Sequence, residues 1–190
     1  MKKKLLKSAL ILATVVGASA FTALETKEVK VENSKVTWKG YKVTGSHEGT
    51  INLKSGELSF DGETLVGGNF TVDMTSIGAT DLSGEYKDKL DGHLKSDDFF
   101  GVAKYPTASL TITKTEATSK NAYKVTGNLT IKGKTNPITF DLSVYGNKAT
   151  ANVKIDRTKY DVRYGSGSFF DNLGDKTIYD EFDLVVDLAF

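Results

Sequence analysis

Few side chains in this sequence have the chemistry for catalysis or for holding a charged group. They are the two histidines, His47 and His93, and the arginines Arg157 and Arg163. A histidine pair suits a metal or a polar head group. A catalytic zinc takes three protein ligands, and no third ligand stands at a matching spacing, so the sequence offers no metal site. There is no cysteine, hence no thiolate nucleophile and no disulfide framework. No serine sits in a nucleophile elbow, and no triad order is recognisable. Gly165-Ser166-Gly167 lacks the third glycine of a dinucleotide loop, with Phe170 in its place. The reading is therefore no enzyme and no cofactor; a metal-assisted enzyme, resting on two histidines and many acids, is a lesser alternative.

What remains is binding. His47 and His93 either meet a polar head group or tie a loop and a helix to the body of the fold. Arg157 admits two readings, a partner for an anionic head group or a buried ion pair with an Asp or Glu. Phe99, Phe100, Phe169 and Phe170, with Tyr164 and Arg163 close by, either line a mouth or complete a core.

The elements that must position these groups are strands. From about Val36 the apolar residues recur with period two, the mark of half-buried strands. Ile51 and Leu53 alternate with Asn52 and Lys54. Leu58 and Phe60 alternate with Ser59 and Asp61. Val66, Phe70, Val72 and Met74 share a face with Gly68. The same alternation runs through Leu110 and Ile112, through Val125, Leu129 and Ile131, through Ile138 to Val144, through Ala151 to Ile155, and through Phe182 to Phe190. Hairpin turns are expected at Lys54-Ser55-Gly56-Glu57, Asp61-Gly62-Glu63 and Tyr145-Gly146-Asn147, with a longer one at Lys132 to Pro137. Eight or nine hairpin-connected strands predict an antiparallel barrel, which leaves no exposed edges. One segment differs: Tyr86, Leu90 and Leu94 form a helical stripe over Gly84 to Lys95, with Ser83 as N-cap and His93 on the inward side. Tyr160 to Thr177, rich in Gly, Ser and aromatics, reads as a long functional loop.

The inward face is Val, Ile, Leu and Phe, interrupted by Gly49, Gly68 and Gly127. Glycines there either leave a channel or mark bends. An apolar channel selects an apolar chain, at about 0.8 kcal/mol for each buried methylene. Alternation alone does not say whether the apolar face points inward, so an outer-membrane barrel is the alternative.

Residues 1–20 look like a secretory leader. Lys2, Lys3, Lys4 and Lys7 precede an apolar run from Ala9 to Gly17, and Ala18-Ser19-Ala20 supplies small residues for cleavage. The run is too short for a comfortable membrane span. Residues 21–30 then form a short N-terminal segment before one domain over 31–190. Without the leader the chain carries 21 basic against 24 acidic residues, which argues against a nucleic-acid partner.

Four stretches in order resemble the YceI-like family. They are Trp38-Lys39-Gly40 with Gly45-Ser46-His47-Glu48-Gly49-Thr50, then His93 to Phe100 with Lys104 to Ala108, then Val125 to Gly133 with Asn136 to Phe140, and lastly Ile155-Asp156-Arg157. The match runs from roughly 31 to 190. The resemblance implies an all-β, lipocalin-like barrel of eight antiparallel strands with a short helical insertion. It also implies an elongated cavity for a polyisoprenoid or similar amphiphile, a periplasmic or secreted location, and often a homodimer. Trp38, Phe60, Phe70, Leu110, Leu129 and Phe140 are then the expected lining. His47, His93, Arg157, Arg163, Tyr164, Phe99, Phe100, Phe169 and Phe170 are expected near the polar end. The loop Arg163 to Asp171 resembles only some relatives.

Overall fold

Period-two alternation makes strands because it places every apolar side chain on one face of a pleated sheet. The computed structural model describes residues 24–190; the leader read at 1–20 lies outside them. Eight strands close an antiparallel barrel: β2 (Lys35–Lys42), β3 (Gly45–Asp61), β4 (Thr64–Ala79), β5 (Thr107–Ser119), β6 (Ala122–Ile131), β7 (Lys134–Tyr145), β8 (Lys148–Asp156) and β9 (Ile178–Ala189). Each pairs with the next, and β9 pairs back onto β2, which closes the ring. A short strand β1 (Glu25–Glu28) pairs with the far half of β3, so residues 25–28 contribute to the sheet. Helix α1 (Gly84–Lys95) spans the residues its stripe predicted. It packs on β4 at one end of the barrel.

Five local expectations are corrected or refined. Lys54 to Glu57 is not a turn but the middle of β3, held extended by β1 and β4 on its two edges. The Ser55-Gly56 signal survives only as a shift of register between Leu53 and Ser55. Val66 does not share the inward face. The register also slips between Ser59 and Phe60, which turns Leu65 inward at 0 % exposure and Val66 outward; an extra residue in one strand reverses the parity beyond it. Tyr86 is exposed, so the aliphatic packing of the helix is through Leu90 and Leu94. Ser83 occupies the N-cap position without a side-chain hydrogen bond. The longer turn expected at Lys132 to Pro137 is a two-residue one, with Lys132 and Gly133 both at positive φ.

The inward glycines leave no channel. A Cβ on Gly49 would lie 1.9 Å from the Gly78 carbonyl oxygen and 2.6 Å from the Trp38 ring. One on Gly127 would lie 2.8 Å from the Thr111 oxygen, and Gly68 is equally crowded by Glu57. These positions let tilted strands and a large ring approach closely.

The end opposite the helix is plugged. Phe60 and Phe190 pack ring against ring, centroids 5.9 Å apart. Leu58, Leu65 and Val125 are fully buried, and the Tyr123 hydroxyl reaches the Leu65 amide and the Glu63 carbonyl. Outside, the barrel presents Glu48, Asn52, Thr111, Asn128, Asp141 and Lys154 to solvent. An outer-membrane barrel carries an apolar band there, so the alternation points the other way from that reading. Among the described residues, no helix is long and apolar enough to cross a membrane.

Candidate functional site

The core between plug and helix is incompletely filled. An upper cavity of about 130 Å³ lies beneath α1, and a second of about 100 Å³ lies deeper. Val36, Val72, Ala108, Leu129, Ile155 and Leu184 line both, so the two are successive parts of one axial space. Each approaches the ~150 Å³ of an apolar cavity that takes up benzene. The expected lining residues divide between them. Trp38, Phe99 and Phe100 face the upper part, Phe70, Leu110 and Phe140 the deeper part, and Leu129 stands at the junction. Phe60 belongs to the plug and lines neither.

Arg157 lies at the upper end and is 2 % exposed. Its Nε donates to the Tyr179 carbonyl at 3.0 Å, Nη1 to the Val162 carbonyl at 2.7 Å, and Nη2 to the Ile178 carbonyl at 2.9 Å. Asp180 stands 3.7 Å from Nη2. The planar fork thus fastens both ends of the long loop to the barrel. Of the two readings for Arg157, the geometry is that of the internal ion pair. Burial pushes the Asp180 carboxyl up, but hydrogen bonds from Ser166 and Ser168 and the Arg157 charge outweigh it and hold it below the usual carboxylate range. The guanidinium also lies over Phe99, 5.5 Å from its centroid.

The histidines take separate stations. His47 Nδ1 is 2.9 Å from Asp81 at the rim, where it joins β3 to the segment before α1. His93 lies between Phe99, at 5.4 Å, and Tyr164, at 4.5 Å. Burial lowers its pKa, against the opposing charge of Asp98, and its Nε2 has no hydrogen-bond partner among the described residues. Neither lines the cavity. Among the described residues no group of three or more His, Cys, Asp or Glu is placed to hold a metal.

The loop aromatics sit outside the cavity. Tyr164, Phe169 and Phe170 are exposed, and Arg163 lies over Phe169 while paired with Asp161 at 2.8 Å. The loop is ordered by short 3-10 turns at each end and by Ser166, which is fully buried. Asp180 was not singled out from the sequence, and Ser166 figured there only in the rejected glycine loop, since nothing local marks a residue that Arg157 or Asp180 will meet. Val36, Val72, Ile155 and Leu184 were also missed as lining, although their alternation was readable.

An apolar axial cavity in an eight-stranded barrel, capped by one helix, matches a known design. The model of the YceI-like domain matches residues 28–190. The chain belongs to the YceI-like family. It is 33 % identical over 152 residues to a UPF0312 protein of Vibrio parahaemolyticus, covering 77 % of this chain and 76 % of that one. A UPF0312 protein of Shewanella denitrificans is 30 % identical over 151 residues, covering 77 % and 75 %. Among solved structures, BcnA of Burkholderia cenocepacia shares the fold at TM-score 0.67 and 23 % identity, over 85 % of this chain and 99 % of its own. A polyisoprenoid binding domain from Saccharophagus degradans does so at TM-score 0.58 and 15 % identity, over 87 % and 97 %.

Proposed function

We propose that this YceI-like protein is a non-catalytic carrier or reservoir for a long apolar lipid, of the polyisoprenoid, quinone-type or fatty-acid-like kind. The observation that carries the reading is the pair of adjoining apolar cavities that begins beneath α1 and shares six lining residues. The Saccharophagus structure, which is called polyisoprenoid binding, supports it. Burial of a few isoprene units, at about 0.8 kcal/mol per methylene, offsets the cost of association. A long chain needs more room than the empty cavity holds, and the partly buried Phe70, Phe140 and Phe182 are the side chains to turn aside. Export is part of the proposal: the leader pattern of 1–20 would deliver a mature chain beginning near Phe21. The homodimer is a further part, and sedimentation measures it.

The test is solvent extraction of protein purified from the exported fraction, followed by mass spectrometry. A stoichiometric isoprenoid, fatty acid or fatty amide is the expected result. A blank, repeated after incubation with host lipids, would mean that the barrel is closed by its own side chains.

A further inference from the structure

The ladder between β7 and β8 is short. It joins residues 141–145 to 148–152 and stops there. Beyond that point residues 134–140 pair with β6 and residues 153–156 with β9, but not with each other. Pro137 lies in this part of β7. Proline has no N–H to give a ladder and is confined to strand edges and bulges. A side-chain bond spans the seam near its end, from Asn136 Nδ2 to the Lys159 carbonyl at 2.8 Å. Behind the seam the core is unfilled: Ile138 and Phe140 on β7, with Val153 and Ile155 on β8, all line the deeper cavity. The ladder between β4 and β5 also stops early, at Gly68 and Ile112 on the side of the plug. There Leu65 fills the space at 0 % exposure, and Thr115 Oγ donates to its carbonyl at 2.7 Å. At β7 and β8 the missing ladder and the empty space coincide.

We infer that lipid enters and leaves through this seam, β7 swinging away from the end of β8 while the other ladders stay closed. The inference rests on the lipid-carrier reading and adds the route. Parting two strands along a ladder breaks backbone hydrogen bonds, which are costly to leave unmade. Parting them here breaks the Asn136 bond and side-chain contacts. The apolar side chains uncovered already line the cavity, so a lipid tail passes from the gap directly onto Ile138 and Phe140. The seam lies at the helix end of the barrel, where Lys132, in the turn before β7, donates to the Asp97 and Asp161 carbonyls.

The chain has no cysteine, so a pair can be introduced cleanly. Thr139 and Lys154 are exposed, and continuing the register of β7 and β8 sets them opposite each other across the seam. T139C/K154C joined by a short bis-maleimide locks it. T111C/N128C, on the paired stretch of β5 and β6, is the control. Uptake and release by delipidated protein are followed in stopped flow with two probes, a fluorescent polyene fatty acid and an isoprenoid quinone that quenches Trp38. The locked protein should exchange both about tenfold more slowly, with the dissociation constants unchanged and the control cross-link without effect. Asn136→Ala should speed both directions about fivefold, the worth of one hydrogen bond, and it decides alone if the cysteines do not join. Wild-type rates in the locked protein or in Asn136→Ala, or equal slowing by the control cross-link, overturn the inference while the carrier reading stands. Failure of both probes to bind the wild-type protein overturns both.

Discussion

The two ends of the barrel are closed by different chemistry. At the plug, Phe60, Phe190, Leu58, Leu65 and Val125 fill the space with apolar volume. At the helix end, one buried guanidinium holds a loop through backbone carbonyls, beneath it lies a cavity, and outside it stand exposed aromatics. Close packing gives stability without any need to open. A clamp of directed hydrogen bonds leaves neighbouring space unfilled and concentrates the hold on one residue. On the carrier reading, the difference separates a foundation from an entrance, and it can be broken from either side.

Phe60→Ala has the largest expected effect. It removes a buried ring and should cost about 4 kcal/mol in urea unfolding, while lipid affinity of the folded protein stays unchanged. A loss of affinity equal to the loss of stability would erase the distinction between the ends. Next is Arg157→Met, which leaves the Val162 and Ile178 carbonyls and the Asp180 carboxylate without their partner. It should destabilise by about 3 kcal/mol, with amide exchange accelerating over residues 161–180 before the barrel strands. Arg157→Lys should recover only part of this, because an ammonium lacks the planar fork. Uniform exchange across the barrel would show that the clamp belongs to the foundation.

Leu129→Trp obstructs the junction of the two cavities. It should lower lipid affinity by about tenfold, some 1.4 kcal/mol, and shift the unfolding midpoint less than Phe60→Ala does. The smallest effect concerns pH at the entrance. Burial lowers the pKa of His93, so the unfolded chain binds this proton more readily than the folded one. Stability is then full above the unfolded value near 6.5 and declines as pH falls through the lowered folded value. His93→Gln should flatten that decline in thermal melts at pH 7 and below, whereas Phe60→Ala should leave its shape intact.

Legibility followed the same division. The turns at Gly62 and Gly146 and the helix from Gly84 to Lys95 were readable, because φ preference and a stripe of period near four are local properties. Phe70, Leu110, Leu129 and Phe140 were placed on the inward face by alternation. The Ser55-Gly56 turn signal failed because two neighbouring strands hold that backbone extended. Val66 failed because the slip at Ser59 lies in the pairing of two strands rather than in either one.

By itself, then, the sequence determined the strand periodicity, the tight turns at Gly62 and Gly146, the helix and the membership of one ordered motif set, since each depends on neighbours in the chain. Which face of the sheet turned inward, what the inward glycines were for and whom Arg157 would meet were decided only by the tertiary structure. The partners of Arg157 at Ile178, Tyr179 and Asp180 lie more than 20 residues away, and only the pairing of β9 back onto β8 beyond the long loop brings them around it.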